Sequence, residues 1–123
     1  SPAGIENLDA MLKVPGIDAI FVGPNDLTIA LGIPDQYDNP KYLDAVRRII
    51  KTSKKHGVPT LVHHHNVEQT NQWLQEGARF VLHGSDARII HNGMRAAFGE
   101  IKALGEKLSG QSSADIGDSD EVL

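Results

Sequence analysis

The chain has 123 residues, 40% hydrophobic and 23% charged, a globular balance at the size of one small domain. No apolar run approaches the about 18–20 residues needed to cross a membrane. The N-terminal stretch has neither the basic nor the apolar part of a signal peptide, and the absence of cysteine excludes disulfides, thiolate metal sites and a cysteine nucleophile. The net charge of −4 is owed to Asp115, Asp118, Asp120 and Glu121 in the tail; residues 1–110 carry 12 acidic and 12 basic side chains. A neutral body has no general attraction for nucleic acid or anionic lipid, so neither is expected as a partner. The absence of cysteine fits a reducing compartment, and a cytoplasmic setting is expected.

Ser1-Pro2 reads as an N-cap and first helical residue, and Ile5, Leu8, Met11 and Leu12 continue a helical stripe to about Leu12. "VPG" ends it. Ile17 to Val22 reads as a strand apolar on both faces apart from Asp18, followed by a short helical turn over Asp26 to Leu31. "GIPDQYDNP" is a loop by its turn-forming residues. Asn39-Pro40 opens a second helix with Leu43, Val46, Ile49 and Ile50 on one side, and Gly57 closes it. Its basic residues Arg47, Arg48, Lys51, Lys54 and Lys55 read as a solvated face, with cations suited to the C-terminal dipole.

Pro59 to His63 or His64 is the second predicted strand. Asn66 with Gln69 resembles a capping box for a helix through Trp73 and Leu74, ended by Gly77. Ala78 to His83 is the third strand, and Ser85 or Asp86 caps a long helix bearing Ile90, Met94, Ala97, Ile101, Leu104 and Leu108. His56 and His91 fall on helices and read as surface residues. The apolar pattern stops near Leu108, which divides the chain into a domain over residues 1–108 and an acidic tail, expected to be disordered, over 109–123.

Strands alternating with helices predict an α/β fold with parallel strands joined by right-handed crossovers. Three parallel strands leave two edges bare, and a closed (β/α)8 TIM barrel needs about 200–250 residues. The chain is therefore expected to be part of something larger, its sheet completed by residues before Ser1 or by partner chains.

In parallel α/β folds, ligands sit beyond the carboxyl ends of the strands. Three segments lie there: Gly23 to Asp26, His63 to Asn66, and His83 to Asp86. In "GPND", Gly23 lets the backbone turn or approach a ligand closely. Pro24 fixes the turn and leaves the amides of Asn25 and Asp26 free for an anion, and Asp26 offers a hard oxygen to a divalent cation. The spacing equally suits Asp26 as the N-cap of the following turn. In "HHH", neighbouring strand residues face opposite ways, so at most His63 and His65 share a side. A zinc site would need further ligands such as His83, and a rim or hydrogen-bonding role is the plainer reading of His63, His64 and His83. Gly84-Ser85 suits either a phosphate or an ordinary strand-to-helix turn.

The stretch "GIDAIFVGPNDLTIALGIP" resembles the signature of the HpcH/HpaI family of metal-dependent pyruvate aldolases: an apolar strand, G-P-x-D-L, then a short apolar turn ending near Leu-Gly. "SPAGIENLDAMLKVPGIDAI", "HGVPTLVHH" and "GARFVLHGSD" extend the resemblance over residues 1–108. It implies the C-terminal part of a TIM barrel. Asp26 would ligate Mg²⁺, Mn²⁺ or Co²⁺, while Gly23, Pro24, Asn25 and Asp26 hold the pyruvate carboxylate through the amides of Asn25 and Asp26. The ion would chelate the 2-oxo acid and stabilise the enolate.

By the same resemblance, a second metal-binding Glu, the His base and an Arg lie upstream, so no catalytic base is expected within this chain. His64 and His65 depart from the smaller or apolar residues of the family. The implied reaction is aldol cleavage or condensation between a 4-hydroxy-2-oxo acid and pyruvate plus an aldehyde, in a homo-oligomer. The alternatives are a non-catalytic fragment or assembly module of the same fold and, more weakly, a phosphate-binding barrel piece using Gly84 and Ser85.

Overall fold

The computed structural model describes residues 1–64 and 66–110, in two units: one spans Ser1–Gly84, and the other begins at Ser85. The first unit carries α1 (Pro2–Glu6), α2 (Leu8–Met11), β1 (Ile20–Val22), α3 (Pro24–Ala30), α4 (Pro40–Lys55), β2 (Thr60–His64), α5 (Val67–Glu76) and β3 (Phe80–His83). The sheet is parallel and open, in the order β1-β2-β3. Expected alternation of strand and helix is thus present, with β1 beginning at Ile20 rather than Ile17. Pairing starts there, where the Ile20 N–H donates to the Pro59 carbonyl at 2.9 Å.

Helix ends follow from local chemistry. The Ser1 hydroxyl accepts from the Gly4 amide at 3.2 Å. The expected continuous helix to Leu12 breaks at Asn7, whose backbone N–H and side-chain Nδ2 both donate to the Ala3 carbonyl, so the side chain competes for a helical acceptor. Helix α4 is capped by the Asn39 side chain on the Lys41 amide. It closes with Gly57 at φ 71°, where Gly57 N donates to Lys54 O and Val58 N to Ser53 O, the two bonds of a Schellman turn. Asn66 caps α5 by accepting from Glu68 and Gln69 amides. The capping box is half formed: the Gln69 side chain donates to Asp38 and to the Tyr37 carbonyl instead of reaching back.

The core lies where α2, α4 and α5 meet one face of the sheet. Val46 and Trp73 are wholly buried, and Val22, Val62, Tyr42 and Ile50 pack with them. Strand β2 alternates, with Thr60, Val62 and His64 buried and Leu61 and His63 half-buried. Register places Phe21, Leu61 and Phe80 side by side on the other face. There Phe21 is 58% and Phe80 52% exposed. Phe21 in β1 and every residue of β3 are exposed, so these apolar strands are not buried on both faces.

The described residues of the second unit form one helix, α6 (Asp86–Ser109), capped by the Ser85 hydroxyl on the Arg88 amide and ended by Gly110 in the left-handed region. None of its residues is buried, and Ile90, Met94, Ile101, Leu104 and Leu108 are exposed, as are Ile89 and Phe98. Expectations for His65 and for the tail beyond Gly110 fall outside the described residues.

Candidate active site

The GPND turn stands where expected, at the carboxyl end of β1. Pro24, with no amide hydrogen to lose, is the first residue of α3, and Gly23 is its N-cap. The first helical bond runs from Leu27 N to Gly23 O at 3.0 Å, so the amides of Asn25 and Asp26 precede it and have no intrahelical partner. Asp26 is not the cap: it lies within the first turn, where its charge suits the helix dipole. Its carboxylate folds back over Gly23, with Oδ2 2.6 Å from where a Cβ on residue 23 would stand. A methyl at residue 23 would therefore displace the Asp26 carboxylate. Asp26 and Asn25 are exposed, Pro24, Leu27 and Thr28 are buried beneath them, and among the described residues no donor satisfies the Asp26 carboxylate.

The turn is braced from below. The Thr28 hydroxyl donates to the Asn25 carbonyl at 3.0 Å. The Tyr37 hydroxyl lies 2.7 Å from Asn25 Oδ1 and 2.9 Å from Asp35 Oδ1. Tyr37 also meets Tyr42 and His64 edge-on, at 5.9 Å and 6.2 Å between ring centroids. Tyr42 and His64 are hydrogen-bonded, Oη to Nε2 at 3.0 Å, and both rings approach the buried Trp73. Burial pushes the Tyr42 phenol well above its usual range, so it remains a neutral hydroxyl.

Of the three histidines expected at the rim, His64 is instead buried, 4% exposed, on the helix-covered face. His63 points to the opposite face, half-buried, with Nε2 3.1 Å from the Gly84 carbonyl. His83, opposite His64 in register, is exposed at the end of β3. His56, read as a surface residue, is a partly buried C-cap bonded to Asp9 at 2.8 Å. Among the described residues no group of three or more acidic or histidine side chains is set to hold an ion. The aromatic column was not visible in sequence because its members come from a loop, two helices and a strand. An open groove of about 550 Å³ lies at the other end of the strands, lined by Pro59, Thr60, Arg79 and the ends of α4 and α5. It is remote in the fold from the GPND turn.

The profile of the HpcH/HpaI aldolase/citrate lyase family matches residues 1–93. The chain belongs to that family. The match stops short of the span to Leu108 expected from the resemblance. A 5-keto-4-deoxy-D-glucarate aldolase of Klebsiella pneumoniae is 34% identical over 92 residues, covering 75% of this chain and 36% of that protein. The crystal structure of an HpcH/HpaI aldolase/citrate lyase family protein from Burkholderia cenocepacia superposes with a TM-score of 0.79 at 25% identity, over 83% of this chain and 40% of that one. An HpcH/HpaI aldolase from Desulfitobacterium hafniense gives 0.76 at 25% identity, over 80% and 39%. The chain thus spans about a third of the length of the curated relatives it matches. Within this HpcH/HpaI fold it forms an unclosed, three-stranded part of a TIM-barrel-type sheet.

Proposed function

We propose that this chain supplies one part of an aldolase site that interconverts a 4-hydroxy-2-oxo acid with pyruvate and an aldehyde. The observation that carries the reading is the Asp26 carboxylate: exposed, without a donor among the described residues, and lying over Gly23 at the carboxyl end of a parallel strand. Family membership supports an aldol-type reaction.

A divalent ion fits Asp26, since a hard, unpaired oxygen is the ligand Mg²⁺, Mn²⁺ or Co²⁺ prefers. Asp26 would be one ligand of a larger set, because the described residues supply no cluster. When bound, the ion supplies Lewis-acid polarisation of the 2-oxo carbonyl. The chain's own part is positional. Gly23 and Pro24 bring the backbone close, and the amides of Asn25 and Asp26 donate to the substrate carboxylate. These donors are held by the helix behind them and cost little to reorganise on binding. No residue here is assigned as base. The reading places the enzyme in the cytoplasm as a homo-oligomer.

The test uses the whole enzyme with Mn²⁺, following pyruvate release from a 4-hydroxy-2-oxo acid. Asp26→Asn, which preserves shape and removes the charge, should lower kcat/KM by at least about 100-fold, the upper end for disturbing groups that only support a metal ligand. Turnover within twofold of the parent would overturn the assignment of Asp26.

A further inference from the structure

The geometry points to Tyr37 as a positioning residue for the GPND turn, an inference that rests on the reading of that turn as the oxo-acid site. Tyr37 sits in the loop between α3 and α4, with its hydroxyl 2.7 Å from Asn25 Oδ1 and 2.9 Å from Asp35 Oδ1. A phenol has one proton, so it donates to one of these oxygens at a time. With the Asn25 amide turned end for end, Nδ2 donates to the phenol oxygen and the phenol proton goes to Asp35. In either arrangement one hydroxyl ties Asn25 to the loop.

That loop is itself anchored. Asp35 holds the left-handed conformation at φ 60°, one that aspartate tolerates better than most residues. The Gln69 side chain, from the first turns of α5, donates to Asp38 and to the Tyr37 carbonyl. The Tyr37 ring packs edge-on against Tyr42 and His64, which are buried and bonded to each other. The hydroxyl is therefore presented from a fixed ring to an exposed residue. Below it, Thr28 holds the Asn25 carbonyl at 3.0 Å. Asn25 is thus gripped at backbone and side chain, which sets the direction of its own amide and that of Asp26. Those are the two donors assigned to the substrate carboxylate. Tyr37 touches no reacting atom; its effect is on binding the carboxylate end of the substrate.

Tyr37→Phe removes the hydroxyl and keeps the ring in the aromatic column, so the fold is retained. In the whole Mn²⁺-loaded enzyme, condensing pyruvate with glycolaldehyde, KM for pyruvate should rise about fivefold with kcat within twofold, the size of one lost hydrogen bond. Asn25→Ala should do the same, and Tyr37→Phe should add nothing in the Asn25→Ala background. In metal-free, substrate-free protein, amide exchange over Leu27 to Leu31 should be about fivefold faster in Tyr37→Phe. Unchanged exchange together with unchanged KM overturns the inference. So does a Tyr37→Phe effect of equal size with and without Asn25. A parent enzyme that neither binds nor condenses pyruvate sinks the aldolase reading, and the exchange measurement then still decides whether Tyr37 holds the turn.

Discussion

Asp9 and Asp26 both lie in the first turn of a short helix, and both are accessible to solvent, yet their surroundings are opposite. Asp9 accepts from His56 at 2.8 Å and Lys55 at 2.9 Å, and pairs with Lys13 at 3.0 Å. Those contacts, the His56 bond foremost, hold its carboxyl well below the usual range. Asp26 has no donor among the described residues and lies over the bare Cα of Gly23. An acid that fastens α2 to the end of α4 is saturated by one neighbour, Lys13, and two groups far along its own chain. The acid at the strand mouth is left unsatisfied. The difference separates a structural carboxylate from one free to meet a ligand.

The largest effect on stability should come from a polar group that, like Asp9, is already satisfied. Tyr42→Phe removes the partner of His64 Nε2 inside the core and should cost about 1–3 kcal/mol, read by denaturant unfolding. A variant as stable as the parent would show that the pair is not needed in the core. Gly23→Ala sharpens the contrast from the other side. The new methyl meets Asp26 Oδ2, so the carboxylate must swing away. Mn²⁺ affinity should fall about tenfold with little change in stability, as expected when a ligand's support is disturbed. Unchanged affinity would mean that the carboxylate position over Gly23 is unimportant.

Smaller still is Asp9→Asn. Exposed ion pairs contribute little, so Tm should fall by only about 1–3 °C, and high salt should erase most of the difference. Metal affinity should not move. Acid titration reads the same contact: a folded-state pKa below the ordinary 3.8 stabilises the fold above that value. The contribution is lost as pH falls below 3.8 toward the folded value, and Asp9→Asn should flatten that part of the stability profile. An identical acid limb in parent and variant would remove Asp9 from the comparison.

Much of this frame was legible before any coordinates. Asn39-Pro40 and Gly57, or Asn66 and Gly77, mark helix ends by rules that act within a few residues. The apolar run into Gly23-Pro24 placed an acid at a strand mouth in the same way. What escaped the sequence depends on distant pairing. His56 reaches Asp9 across 47 residues, and Tyr42 reaches His64 across 22. No local pattern distinguishes a rim histidine from one that a tyrosine will bury. The start of β1 was equally hidden, because Ile17 is as strand-like as Ile20 and only Pro59 supplies the first acceptor. Gln69, read as a capping partner, was drawn away by Asp38 in a loop whose course the sequence does not reveal.

The most direct test of the account is a Mn²⁺ titration of three whole-length proteins: parent, Asp26→Asn and Asp9→Asn. The unsatisfied carboxylate should be the one that matters, so Asp26→Asn should weaken Mn²⁺ binding by at least about 100-fold while melting like the parent, since Asn and Asp differ here chiefly in charge. Asp9→Asn should bind Mn²⁺ as the parent does. Parent-like binding by Asp26→Asn, or equal loss in both variants, would contradict the claim that Asp26 is the ligand.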